Sequence, residues 1–120
     1  MATVLVVDDE PDILLMLRMS LEDEGHTVVM AGDGESGLER LAEHHPDLVL
    51  LDVMMPVLDG WGVLARKQRD GDTTPVIVLS AKTEETDIAK AMSLGATEYV
   101  TKPFDLDRVV ALVAEVLARS

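Results

Sequence analysis

Asp8 and Asp9 stand directly after the apolar run Val4-Leu5-Val6-Val7, Asp52 after Leu48-Val49-Leu50-Leu51, Ser80 after Val76-Ile77-Val78-Leu79, and Lys102 just beyond Glu98-Tyr99-Val100. Carboxylates, a hydroxyl and an ammonium in such a set suit phosphoryl transfer. A carboxylate can attack phosphorus as a nucleophile and yield an aspartyl phosphate. Three crowded carboxylates repel one another, and burial worsens the repulsion. A divalent cation relieves it, and an oxygen-only donor set with few protein carboxylates suits Mg2+, which keeps several waters and bridges to phosphate. Lys102 offers a compact positive charge and Ser80 a donor to an incoming oxyanion. With metal and lysine spreading the transition-state charge, little else is required. Taken singly, an acid after a strand is more often a helix N-cap or a solvated charge. The conjunction at the ends of four apolar runs is what carries the reading.

For these side chains to meet, the runs must be neighbouring strands that point the same way. Val4-Leu5-Val6-Val7, Thr27-Val28-Val29-Met30, Leu48-Val49-Leu50-Leu51 and Val76-Ile77-Val78-Leu79 are nearly continuous in apolar residues, as in strands buried on both faces. Glu98-Tyr99-Val100 is a weaker fifth run. Helical patterns lie between them, over 11–24, 33–43, 60–69, 84–94 and 105–119. Pro11 suits a first helical turn, Asp59 an N-cap, and Gly25 and Gly95 are stops. In the last pattern Leu106, Val109, Val110, Val113, Val116 and Leu117 recur at helical spacing. Strands alternating with helices predict a parallel sheet covered by helices on both faces. All five prolines fall at element edges. In such a sheet the strand C-termini share one edge, where ligands bind.

The 120 residues predict one domain spanning 1–120. The core must be aliphatic, since 48% of residues are hydrophobic and only 2% aromatic. A formal net charge of −13 argues against direct nucleic-acid binding, which needs clustered Lys and Arg, and against an anionic membrane surface. With no cysteine, disulfides, thiolate metal sites and cysteine nucleophiles are excluded. No apolar run approaches the ~18 residues of a membrane span. The N-terminus lacks a signal-peptide pattern, so the expected location is cytoplasmic.

Several signals have blander readings. Gly32-Asp33-Gly34-Glu35-Ser36-Gly37 matches a dinucleotide fingerprint literally, but Asp33 and Glu35 would face a pyrophosphate with two negative charges; a turn with Asp33 as N-cap is expected instead. His44-His45 precede Pro46 and read as a solvated helix end, where a cation favours the dipole. Met54-Met55 read as the rim of the Asp52 crevice, and Trp61 as a partly buried side chain. Asp70-Gly71-Asp72 is turn chemistry, since the further acids of a calcium loop are missing.

Val4-Leu5-Val6-Val7-Asp8-Asp9-Glu10-Pro11, Asp47-Leu48-Val49-Leu50-Leu51-Asp52-Val53-Met54-Met55-Pro56, Asp59-Gly60, Leu79-Ser80-Ala81-Lys82 and Tyr99-Val100-Thr101-Lys102-Pro103-Phe104 follow one another in this order. Together they resemble the receiver domains of response regulators in two-component signalling. The resemblance covers essentially the whole chain. It implies a doubly wound α/β fold with the flavodoxin-like strand order 2-1-3-4-5, as in chemotaxis receivers. It implies Asp52 as phosphoacceptor, Asp8 and Asp9 holding Mg2+ with Asp9 the more direct ligand, and Met54 as a ligand through its backbone carbonyl. Lys102 would pair with the phosphoryl oxygens, Ser80 would move toward them, and Tyr99 would swing inward with Ser80. The Lys102-Pro103 bond is expected to be cis. The donor is expected to be a sensor histidine kinase, a phosphotransfer protein or a small phosphodonor. The domain assists its own phosphorylation and dephosphorylation but turns over no free substrate. Chemotaxis receivers carry a polar side chain where this chain has Met54, which cannot orient an attacking water, so slow self-dephosphorylation is expected.

Two other protein classes share parts of this pattern. A Mg2+-dependent phosphohydrolase of similar topology resembles a nucleophilic Asp followed two residues on by a second Asp, where Met54 stands here. A flavin carrier needs a hydroxyl-rich loop after the first strand, where this chain has Asp8-Asp9-Glu10. The expected output face is the fourth helix, fifth strand and fifth helix. Receivers of winged-helix transcription factors resemble one another in dimerising there through opposite charges. Lys90 and Arg108 stand where one base and one acid would be needed, and Leu112 where a basic partner for the acid near Glu98 would be. A monomer is therefore expected, signalling to a separate protein partner. A missing effector domain is the other possibility, although no such domain follows the last helix in this sequence.

Overall fold

The computed structural model describes residues 2–53, 59–81 and 84–119. Met54, Met55, Pro56 and Lys82, singled out above, lie outside the described residues. The elements alternate throughout: β1 (Thr3–Val7), α1 (Pro11–Asp23), β2 (Thr27–Ala31), α2 (Gly34–His44), β3 (Leu48–Asp52), α3 (Gly60–Arg69), β4 (Val76–Ser80), α4 (Glu85–Ser93), β5 (Glu98–Thr101) and α5 (Leu106–Arg119). The five strands form one parallel sheet in the order β2-β1-β3-β4-β5. This is the expected fold and strand order.

The sheet divides the core because successive strand residues point to opposite faces. On one face Leu5, Val7, Val49, Leu51, Val76 and Val78 pack with Leu41 of α2, Val63 and Leu64 of α3, and Ala91 of α4. On the other, Val4, Val6, Leu48, Leu50, Ile77 and Leu79 pack with Leu17 and Leu21 of α1 and with Val109, Val113 and Val116 of α5. Covering on both faces explains why β1, β3 and β4 read as unbroken apolar runs. Each fully buried Leu or Val removes apolar area worth roughly 1.5–3 kcal/mol from water.

Local signals set the element ends. Asp33 caps α2 by accepting from the Ser36 amide at 2.8 Å, and Asp59 caps α3 by accepting from the Gly62 amide at 3.0 Å. Gly37 packs α2 closely on β1: a Cβ there would lie 3.1 Å from Val7. The literal glycine fingerprint is therefore a capped turn plus a helix–strand contact. α2 ends with His45 in the left-handed region (φ 46°), and both His44 and His45 are exposed. Gly25 and Gly95 stop α1 and α4 with φ of 92° and 96°. Among the described residues no helix is long and apolar enough to cross a membrane.

Candidate functional site

Strand register brings the predicted residues together. Val7 of β1 pairs with Leu51 of β3, Asp52 of β3 with Leu79 of β4, and Ser80 of β4 with Thr101 of β5. Asp8, Asp52, Ser80 and Lys102 thus line the C-terminal edge of four adjacent strands. Asp8 and Asp52 are 1% and 3% exposed and Ser80 is fully buried, unlike solvated caps. The Lys102 amide donates to the Ser80 carbonyl at 2.7 Å, which extends the β4–β5 ladder to the site, and Lys102-Pro103 is cis as expected.

The Lys102 ammonium is the hub. It donates to Asp8 Oδ2 at 3.0 Å, to Asp52 Oδ2 at 3.3 Å and to Glu10 Oε1 at 3.4 Å. Burial disfavours its charge, but the hydrogen bond to Asp8 and the charges of Asp8 and Asp52 outweigh burial and hold its pKa above the ordinary lysine value. The other Asp8 oxygen, Oδ1, accepts from the Glu10 amide at 2.9 Å and orients the carboxylate.

Asp8, Asp9, Glu10 and Asp52 each place one carboxylate oxygen within 4.8 Å of the others. Opposite ligands of an octahedral Mg2+ at ~2.1 Å lie about 4.2 Å apart, so this spacing is close to that of a hard-cation site. Four carboxylates also face one ammonium here, which leaves an excess of negative charge for a divalent cation to balance. Charge, donor type and spacing all fit.

In the sequence Glu10 is one residue of the Asp8-Asp9-Glu10 run, with no role of its own. Its adjacency to Asp8-Asp9 was the available signal, but only the turn into α1 brings its carboxylate back to Lys102. Gly60, at the start of α3, was read only as part of a motif. Its amide donates to the Val53 carbonyl at 3.2 Å, and a Cβ there would lie 2.4 Å from Val53 Cα and 2.7 Å from the Asp52 carbonyl oxygen. Only glycine lets α3 seat against the backbone that carries Asp52.

Tyr99 lies opposite Val78 in β5, half-buried against the core. On the expected output face two charges are engaged within the chain. Glu98 accepts from Arg119 at 2.9 Å, and Lys90 lies 4.5 Å above the Trp61 ring centroid.

This fold, with an acidic crevice at the strand ends and a lysine bridging its carboxylates, defines a receiver-type α/β domain. The profile of the response regulator receiver domain matches residues 4–114, and the chain belongs to that family. It is 44% identical over 120 residues to the transcriptional regulatory protein KdpE of Mycobacterium tuberculosis H37Rv, covering 100% of this chain and 53% of that protein. It is 43% identical over 117 residues to PhoP of Bacillus subtilis, an alkaline phosphatase synthesis transcriptional regulatory protein, covering 98% and 49%. The chain spans about half the length of these relatives. The receiver domain of the Francisella response regulator 1452 superimposes with a TM-score of 0.95 at 31% identity, covering 99% of this chain and 98% of that one. The chain is thus a regulatory receiver domain of two-component signalling, and the phosphohydrolase alternative finds no support in these likenesses.

Proposed function

We propose that the chain is a phosphoacceptor switch, with residues 1–120 acting as one receiver domain and Asp52 as the acceptor. The observation that carries this reading is Lys102 bridging two buried carboxylates, Asp8 and Asp52, at the sheet edge. An Asp52 oxygen attacks the phosphorus of a phosphohistidine on a histidine kinase or phosphotransfer protein, or of a small donor such as acetyl phosphate. The new O–P bond forms as the bond to imidazole or acetate breaks, and the leaving group departs with its electron pair. Lys102 pairs with the phosphoryl oxygens, and the Ser80 hydroxyl donates to them. Asp8, Asp9 and Asp52, with the Met54 carbonyl, would hold Mg2+, which when bound neutralises the excess negative charge at the reacting oxygens. The movement of Ser80 leaves room for Tyr99 to turn inward, and partner binding changes at the face of α4, β5 and α5. The location is cytoplasmic, with no direct contact to nucleic acid or membrane.

Intact-mass spectrometry after treatment with acetyl phosphate and Mg2+ tests this. One phosphoryl group should be gained, and none by Asp52→Asn or without Mg2+; equal labelling of Asp52→Asn overturns the acceptor assignment. In the same assay Met54→Asn should lose the group faster than the parent chain, since an amide helps position water. Equal lifetimes would refute the slow-hydrolysis reading.

A further inference from the structure

Helix α4 is the least anchored helix of the fold. Among the described residues it buries only Ala91, whereas every other helix buries two or more. Its N-cap residue, Glu84, makes no side-chain capping bond, a lack it shares with Glu10 on α1 but not with Asp33 on α2 or Asp59 on α3. Low apolar burial and a missing cap place an element at the readily opened end of the stability range.

Two side-chain ties to α3 hold it. Lys90 sits with its ammonium 4.5 Å from the Trp61 ring centroid, a cation–π contact. Gln68 Nε2 donates to the Ser93 carbonyl at 3.2 Å, in the last turn of α4, where carbonyls lack helical partners. The α3 end of the first tie is firm, while Gln68 is exposed. Trp61 packs against the core and follows Gly60, the residue seated on the Asp52 and Val53 backbone. At its other end α4 lies a short step beyond Ser80, at the end of β4. The helix therefore starts beside the site and is tied, through its C-terminal half, to the helix whose first residue seats on the Asp52 and Val53 backbone.

We infer that the Lys90–Trp61 contact is a latch that holds α4 in its unmodified position, and that modification at Asp52 must release it. Lys90 and Trp61 act as positioning residues that set how readily the switch is thrown. The coupling to Asp52 rests on the phosphoacceptor reading; the latch itself does not.

Amide hydrogen exchange of the unmodified protein tests the latch alone. Lys90→Met keeps the aliphatic stem but removes the charge, so the amides of α4 should exchange about two- to fivefold faster, the range set by a partly exposed cation–π pair. Lys90→Arg keeps a cation over the ring and should restore the parent rate. Equal exchange in Lys90→Met and the parent chain overturns the latch. Titration with beryllofluoride and Mg2+, followed by Trp61 fluorescence and by mass, tests the coupling. Lys90→Met should saturate at about two- to fivefold lower concentration, and Lys90→Arg as the parent does. Faster α4 exchange with unchanged saturation overturns the coupling. If no chain binds beryllofluoride, the phosphoacceptor reading fails, and the exchange result still decides the latch.

Discussion

Lys67, only 5% exposed, donates from its ammonium to both the backbone carbonyl and the carboxylate of Asp72, each at 3.2 Å. The pair closes the turn between α3 and β4, at the end of the sheet opposite Asp52. Burial raises the Asp72 pKa, but hydrogen bonds from Thr74 and the bond and charge of Lys67 outweigh it, and the net direction is downward from 3.8. A depressed carboxyl contributes stability above its unfolded pKa and loses it as pH falls through the folded value. Stability should therefore fall below about pH 4, and Asp72→Asn should flatten that part of the acid limb. At neutral pH Asp72→Ala should cost roughly 1–3 kcal/mol by leaving a buried donor short of a partner. Urea melts across pH check both. An unchanged acid limb in Asp72→Asn would show that the pair is inert.

Glycine positions grade the tolerance of the site. Gly60→Ala drives a Cβ into the Val53 and Asp52 backbone, so α3 must move. The expected cost is about 1–3 kcal/mol from overpacking, with slower labelling of Asp52 by acetyl phosphate. Nothing lies within 4 Å of a Cβ at Gly32, so Gly32→Ala should leave both nearly unchanged. Denaturant melts and mass-resolved labelling give the two readouts, and parity of the two variants would refute the seating argument.

The acidic cluster predicts linkage between metal and stability. Mg2+ should raise the melting temperature, since a ligand at 100 times its Kd adds about 2.7 kcal/mol when it binds only the folded chain. Asp9→Ala removes repulsion along with a donor. The metal-free variant should therefore melt higher than the parent, while its gain from Mg2+ shrinks. Thermal melts with and without Mg2+ measure both, and an undiminished gain in Asp9→Ala would place the cation elsewhere.

The output face predicts a monomer in both states. Glu98 is paired with Arg119 of its own chain, and Lys90, even when freed from Trp61 on modification, would meet the like charge of Arg108 where a two-fold interface needs an acid. Light scattering after size exclusion, with and without beryllofluoride and Mg2+, should give one protomer mass. A stable dimer at micromolar concentration would overturn this and favour the dimerising mode of the transcription-factor receivers.

The apolar runs at β1, β3 and β4 were legible in the sequence because a strand covered on both faces needs nearly every residue apolar. The strand-end positions of Asp8, Asp52, Ser80 and Lys102 were legible because a parallel sheet puts all its C-termini at one edge. Both follow from local periodicity plus one topological rule. The same periodicity said nothing about Lys67, whose charge in the last turn of α3 reads as a solvated base until the following turn folds Asp72 over it. Nor did it show Glu10 returning to Lys102 across 92 residues of chain, or Arg119 reaching Glu98 from the far end of α5. Lys90 and Trp61 lie on different helices, and only the packing of α3 beside α4 sets the ring under the ammonium. Such contacts depend on the distance and angle between elements remote in sequence. Strand and helix periods fix each element's own faces, and only the packed core fixes how those faces meet.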